Sequence, residues 1–286
     1  MPEREGLCPY AADIAAQTEH QNEIVVFAST CDQMRRMPES VITDSSRTFF
    51  MHIPATWNNP EVETYYQSEL TRLGDYLETM GGQKPSKENM QSIMERYNAG
   101  RQELLASRQS CCAREHIART SQFYPTGICP PLNDAPRPKK AATPLMLLGS
   151  HLRPADLTVL DQIENAGAHI VIDATDGGER EWPRAFHPQH MQSDSLHELA
   201  QAYFQTIPAV FRRPNDALYE WLTQAVEAHS HLKGIIFVTQ PWCDLWKAEL
   251  PRLHSAVSLP ILHVTLGGGA HESRATRIEA FLEMIA

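Results

Sequence analysis

Two segments of this chain share one build. Glu23-Ile24-Val25-Val26-Phe27-Ala28-Ser29-Thr30-Cys31-Asp32 and Gly234-Ile235-Ile236-Phe237-Val238-Thr239-Gln240-Pro241-Trp242-Cys243-Asp244 each run from an apolar, β-type stretch into Cys-Asp, and a helical pattern follows. In open α/β sheets, ligands collect beyond the carboxyl ends of the strands. A thiol there, at the start of a helix, has its thiolate favoured by the helix dipole. Two such cysteines on two different sheets could converge on one soft metal centre. A lone buried cysteine is ordinarily a small inert apolar residue. Two Cys-Asp pairs at equivalent strand ends depart from that pattern.

The elements that must position these thiols can be read from periodicity. In the first part, Glu23–Ala28 and Thr48–Ile53 read as strands. Val62, Tyr65, Tyr66, Leu70, Leu73, Tyr76, Leu77 and Met80 recur at helical spacing up to Gly81-Gly82, a C-terminal stop. A further helix starts at Ser86, with Asn89 where a capping box would place Glu or Gln, and runs through Met90, Ile93, Met94, Tyr97 and Leu104. From about Ser121 to Thr143, five prolines (Pro125, Pro130, Pro131, Pro136 and Pro138) interrupt a stretch of little periodicity. That stretch reads as a linker and puts a domain boundary near residue 140.

Beyond it, strands at Leu145–Leu148, His169–Asp173, Gly234–Val238 and Ile261–Leu266 alternate with helices at Ala155–Ala166, Ser195–Thr206, Asn215–His229 and Asp244–Val257, with a closing helix at Glu272–Ile285. Continuous apolar strands, each followed by a helix, predict a parallel sheet covered on both faces. With right-handed crossovers this is a Rossmann- or flavodoxin-like layer. The expected fold class is therefore α/β, with residues 1–140 forming a partial α/β domain and residues 141–286 a Rossmann-like one. No G-x-G-x-x-G is present, and Gly267-Gly268-Gly269 lacks the Lys-Ser/Thr of a P-loop.

Composition narrows the function classes. The chain has 286 residues, 42% hydrophobic and 21% charged, as an ordered globular protein does. A net charge of −10 argues against nucleic acid or an anionic membrane as partner, since both require clustered basic surface. No apolar run approaches the roughly 20 residues of a membrane span. The first residues lack the basic-then-apolar order of a secretory signal, so a cytoplasmic location is expected. The six cysteines include no C-x-x-C pair, which disfavours a zinc ribbon, and a reducing cytosol keeps them as thiols.

Several of these segments together resemble the 2-hydroxyacyl-CoA dehydratase and benzoyl-CoA reductase subunits. Cys31-Asp32-Gln33-Met34-Arg35-Arg36 is similar to that family's Cys-Asp-x-x-Arg-Arg/Asn element, and Trp242-Cys243-Asp244 to its Phe-Cys-Asp element. Cys8-Pro9-Tyr10-Ala11 occupies the place of another family cysteine. Gly149-Ser150-His151 and Gly167–Asp173 resemble its central strands, and Thr276–Glu283 its terminal helix.

The resemblance implies two Rossmann/flavodoxin-like domains and a [4Fe–4S] cluster held by Cys8, Cys31 and Cys243. It also implies an acyl-CoA substrate and an ATP-dependent iron–sulfur activator that supplies an electron for ketyl-radical dehydration. Thr30, Asp32, Gln240 and Asp244 are candidates for hydrogen bonds around the sulfurs. The family carries an upstream segment before the place where this chain starts. The first domain is thus expected to be incomplete and finished by a homo- or hetero-dimer partner, with Tyr65, Tyr66, Leu70 and Tyr76 as one candidate contact stripe. Cys111, Cys112 and Cys129 have no place in the dehydratase pattern. Six cysteines also suit a double-cubane [8Fe–9S] reductase of small molecules, and the missing segment would suit a degenerate, non-catalytic subunit.

Overall fold

The structure is a computed structural model that describes residues 6–18, 24–41, 45–57, 59–133, 142–267 and 271–286. In chain order the elements are α1 (Pro9–Thr18), β1 (Val25–Ala28), α2 (Asp32–Val41), β2 (Thr48–Met51), α3 (Pro60–Thr79), α4 (Lys87–Ala106), α5 (Ala113–Phe123), β3 (Thr143–Gly149), α6 (Thr158–Asn165), β4 (Ala168–Thr175), α7 (Pro188–Ser193), α8 (Ser195–Thr206), α9 (Asp216–Ala228), β5 (Gly234–Thr239), α10 (Asp244–Ala256), β6 (Ile261–Thr265) and α11 (His271–Ile285). They form two compact units, each made of two separated stretches: Met1–Met94 with Pro183–Ala217, and Glu95–Trp182 with Leu218–Ala286. The boundary expected near residue 140 lies outside the described residues.

In the first unit, β1 and β2 pair in parallel with Val25 opposite Thr48 and Ala28 opposite Met51. Phe27 faces a small core made with Cys8, Ala11, Ala15 and Met37, so α1 and α2 cover that face. Phe49 and Met51 of β2 point the other way, into a core with Tyr66 of α3 and Ala200 and Phe204 of α8. Three members of the tyrosine–leucine stripe (Tyr66, Leu70 and Tyr76) pack inside this unit, while Tyr65 is exposed. Val26 and Ile24 also stay exposed, because α3 and α8 cover β2 rather than β1.

Helix starts follow local chemistry. Asn59 accepts the Glu61 N–H at 2.9 Å ahead of Pro60, Ser86 Oγ accepts the Asn89 N–H at 3.2 Å, and Asp194 accepts the His197 N–H at 2.9 Å.

The second unit holds a four-stranded parallel sheet in the order β4-β3-β5-β6. Leu145, Leu147, Ile236, Val238 and Val264 pack with α6 and α11 on one face. The alternate residues face the other side, where the Phe237 ring lies 5.8 Å from that of Trp246 in α10. Burial on both faces is why these strands read as continuous apolar runs. The chain order reverses between β3 and β5, so their carboxyl ends open a crevice at the topological switch point.

Two expectations need adjusting. The helix expected from Ala155 begins as a 3-10 turn, Pro154–Asp156, in which the Asp156 carboxylate accepts the Arg153 N–H at 3.2 Å, and the α-helix starts only at Thr158. Helix α5 was not expected. Its buried face carries Glu115, His116, Arg119 and Thr120, so no apolar period announces it.

The fully buried Glu198 of the first unit is held by both Arg184 Nη atoms, the His187 N–H at 2.8 Å and His190 Nδ1 at 3.2 Å. Burial opposes its charge, but the Arg184 and His187 donors win and hold the carboxyl at about 2. Its folded pKa is depressed, so its stabilisation is complete above about pH 4.5 and is lost as pH falls through about 2. Glu198→Gln should cost about 3 kcal/mol at neutral pH and flatten this acid limb, as read by denaturant melts from pH 2 to 7.

Candidate functional site

Cys8 and Cys31 belong to the first unit and stand at the starts of α1 and α2, which pack together. Cys8 Sγ accepts the Ala11 N–H at 3.4 Å, and Cys31 Sγ accepts the Met34 N–H at 3.5 Å. Each thiol thus takes the place of a capping oxygen over the first turn of its helix.

Gln33 ties the two starts together. Its Oε1 accepts the Cys8 N–H at 2.9 Å, and its Nε2 donates to the Gly6 carbonyl at 3.4 Å. The sequence reading gave Gln33 no role. In the sequence it is simply a polar residue in the first turn after Cys31, and only the structure brings it to the Cys8 N–H. Asp32 forms a surface pair with Arg35 at 3.4 Å, which at 90% and 54% side-chain exposure contributes little.

Cys243 belongs to the second unit and opens α10, its carbonyl accepting the Lys247 N–H at 3.2 Å. Asp244, next to it, is exposed. The turn before it is strained. Trp242 has φ = 64°, rare for a residue with a side chain, and is 61% exposed.

The other wall of the crevice is Gly149-Ser150-His151. Gly149 has φ = 128°, and a β-carbon there would stand 1.9 Å from the Val238 carbonyl oxygen, so only glycine fits. Ser150 Oγ accepts the Gln240 N–H at 3.2 Å, and Gln240 Nε2 donates to the His151 carbonyl at 3.0 Å and to Asp156 at 2.6 Å. Burial opposes the Asp156 charge, yet Arg153 and Gln240 hold its carboxyl below the ordinary range. Gln240, singled out from sequence as a neighbour of the thiol, acts here as a strut between β3 and β5.

The remaining cysteines serve local structure in the second unit. Cys111 is buried and donates to the Ser107 and Arg108 carbonyls, both at 3.6 Å. Cys112 caps α5, accepting the Glu115 N–H at 3.5 Å. Cys129 accepts from Arg119 Nη2 at 3.0 Å. Burial pushes the Cys111 and Cys129 thiols up, away from the thiolate form a soft metal needs.

Among the described residues, no group of three or more His, Cys, Asp or Glu side chains could hold a metal ion. The donor chemistry at Cys8 and Cys31 nonetheless fits a thiolate-bound iron–sulfur group: two soft ligands open two packed helices of one unit. The third candidate, Cys243, stands at the equivalent place in the other unit.

Parallel sheets whose strands end in Cys-Asp turns at helix starts define an α/β protein with thiols set at strand ends. The chain belongs to the 2-hydroxyglutaryl-CoA dehydratase D-component family, whose family model matches residues 4–285. No curated protein matches it. No helix among the described residues is long and apolar enough to cross a membrane.

Gln33→Leu should release the Cys8 turn. Losing that acceptor costs about 1 kcal/mol, so the Cys8 amide should exchange with deuterium about fivefold faster, while amides of the second unit keep their rates.

Proposed function

We propose that this chain is the iron–sulfur subunit of a 2-hydroxyacyl-CoA dehydratase-like lyase, with Cys8, Cys31 and Cys243 as ligands of a [4Fe–4S] cluster. The observation that carries this reading is the pair of thiols in the first unit. Both cap helix starts, and the two starts are joined through Gln33 of the Cys-Asp element in a chain of the dehydratase family. When bound, such a cluster would supply one-electron chemistry and, with three thiolates, an iron position open to a substrate oxygen.

The protein's own part is to present the thiols and shape their surroundings. The first-turn N–H groups of Ala11 and Met34 donate to sulfur, which is how a protein tunes such a group. Gln33 keeps the two helix starts in register. Gln240 and Ser150 hold the crevice at the carboxyl ends of β3 and β5, where an acyl-CoA would reach a strand-end site.

An ATP-dependent iron–sulfur activator and a related subunit are the partners this reading requires. The exposed Ile24, just before β1, and Val26 within it supply an apolar strip on which a related subunit would pack. All six cysteines are in the thiol form rather than in disulfides, which fits a reducing cytoplasm.

Anaerobic purification with iron and sulfide assays tests the assignment. About four irons and four sulfides per chain are expected. Cys8→Ser, Cys31→Ser and Cys243→Ser should each lower that content, and Cys111→Ser, Cys112→Ser and Cys129→Ser should leave it unchanged. Protein free of iron after anaerobic handling, or iron insensitive to the first three changes, would overturn the proposal.

A further inference from the structure

Beyond the ends of β3 and β4, two carboxyl groups converge on one cation. Arg180 Nη2 donates to Asp176 Oδ1 and, at 3.2 Å, to Glu181 Oε1. The Arg180 side chain is fully buried; its Nε donates to the Ala174 carbonyl at 3.1 Å, and its guanidinium lies 5.1 Å from the Trp246 ring centroid. The other carboxyl oxygens are also engaged. Trp246 Nε1 donates to Asp176 Oδ2 at 2.8 Å, and the Gly177 N–H donates to Glu181 Oε2 at 2.9 Å.

Asp176 and Glu181 are only 17% and 26% exposed, so their like charges are poorly screened. One guanidinium cannot neutralise both, and holding one proton between them relieves the repulsion. Burial first, and then the Glu181 charge, push Asp176 up to about 6 against the pull of Arg180, His151 and Trp246. Burial also works against the charge of Glu181, but Arg180, His151, the Gly177 N–H and Asp176 itself hold that carboxyl below its ordinary range. Of the two, Asp176 keeps its proton to the higher pH.

His151 lies alongside. A β-carbon placed on Gly177 would stand 3.2 Å from His151 Nδ1. The Gln240 amide meets the backbone carbonyl of His151. Both partners of Gln240 Nε2, the His151 carbonyl and the Asp156 carboxylate, are acceptors, so the orientation of the amide is settled. Its Oε1 is consequently buried with no hydrogen-bond partner among the described residues. A buried acceptor left without a donor is unfavourable, and an arriving O–H donor would relieve it.

The geometry points to a proton-exchanging ligand site at the carboxyl edge of the second unit's sheet, where the Asp176–Glu181 pair beside His151 serves a hydroxyl-bearing ligand that donates to Gln240 Oε1. The step is a proton transfer alone. The carboxyl O–H of Asp176 breaks, a new O–H forms on a ligand oxygen that is gaining negative charge, both electron pairs stay on their oxygens, and solvent returns the proton to the pair. The choice of a 2-hydroxyacyl thioester as that ligand rests on the function proposed above; the acid pair itself does not.

Two measurements on the full chain test it. With Asp and Glu carboxyl carbons labelled, NMR titration should show one group with a midpoint near 6. That signal should vanish in Asp176→Asn, whose amide can still donate to Glu181, and fall toward the ordinary carboxylate range in Glu181→Gln. Calorimetry near the midpoint in two buffers of different ionisation heat should show proton exchange on binding a 2-hydroxyacyl-CoA and none with the 2-deoxy thioester. Asp176→Asn should abolish the exchange in a chain whose circular-dichroism spectrum is unchanged.

The inference is overturned by the absence of any carboxyl titrating near that midpoint, or by a midpoint that Glu181→Gln leaves in place. Binding of the hydroxy thioester without proton exchange also overturns it. A chain that binds neither thioester yet keeps the titration in the stated variants contradicts the proposed substrate and supports the acid pair.

Discussion

The backbone of Gly149 lies so close to the Val238 carbonyl that no side chain fits between them, and the chemistry of the second unit is arranged around that contact. The neighbouring Ser150 N–H donates to the same Val238 carbonyl at 2.9 Å, while the Gly149 carbonyl accepts the Asp176 N–H at 2.8 Å. One glycine therefore fastens β3 to β5 on one side and to the turn after β4 on the other. His151, Gln240 and Asp176 take their places from those bonds. A methyl group at position 149 would have to force the strands apart at the point where their carboxyl ends open, and the crevice would lose its shape before any reactive side chain was touched.

The charged interior follows from the same packing. Burying an ion costs several kcal/mol unless partners surround it, and the second unit supplies them in groups. Glu179 accepts from Arg108 Nε and pairs with His116 Nε2, both at 3.1 Å, while Arg108 Nη2 donates to the Ile170 carbonyl at 2.5 Å. Burial opposes the charge of Glu179, but these partners hold its carboxyl below the ordinary range.

Asp173, in β4, forms no ion pair among the described residues. Burial pushes its carboxyl up, and the Thr175 hydroxyl at 2.6 Å steadies it. In the first unit, Arg212 is handled differently. It donates to the carbonyls of Pro54 and Phe204 and lies 4.1 Å from the Phe204 ring centroid, with burial bringing its pKa down to about 10. Carbonyl dipoles and ring faces there do part of what a carboxylate does elsewhere.

Thiol capping alone does not mark a ligand site. Cys112 caps α5 with the same geometry as Cys8 and Cys31 cap α1 and α2. What separates Cys31 is its place after a strand end, and what separates Cys8 is the bond from its N–H to Gln33 of that same turn. Two helix starts linked by one amide form a more exacting arrangement than any single cap, because a shift of either helix breaks the bond.

The sequence by itself determined the α/β class, the continuous apolar strands β3 and β5, helix α8, and the Cys-Asp turns at the ends of β1 and β5. These depend on short-range period and capping, which neighbouring residues encode. It missed α5 because the buried face of that helix is polar and satisfied by distant partners such as Glu179. The order β4-β3-β5-β6, the Gln33–Cys8 bond, the Gln240 strut and the meeting of Asp176 and Glu181 over Arg180 were decided only by tertiary structure. Each of these depends on which strand lies beside which or on how a glycine turn folds back, and a side chain's identity carries no record of the partner that packing brings to it.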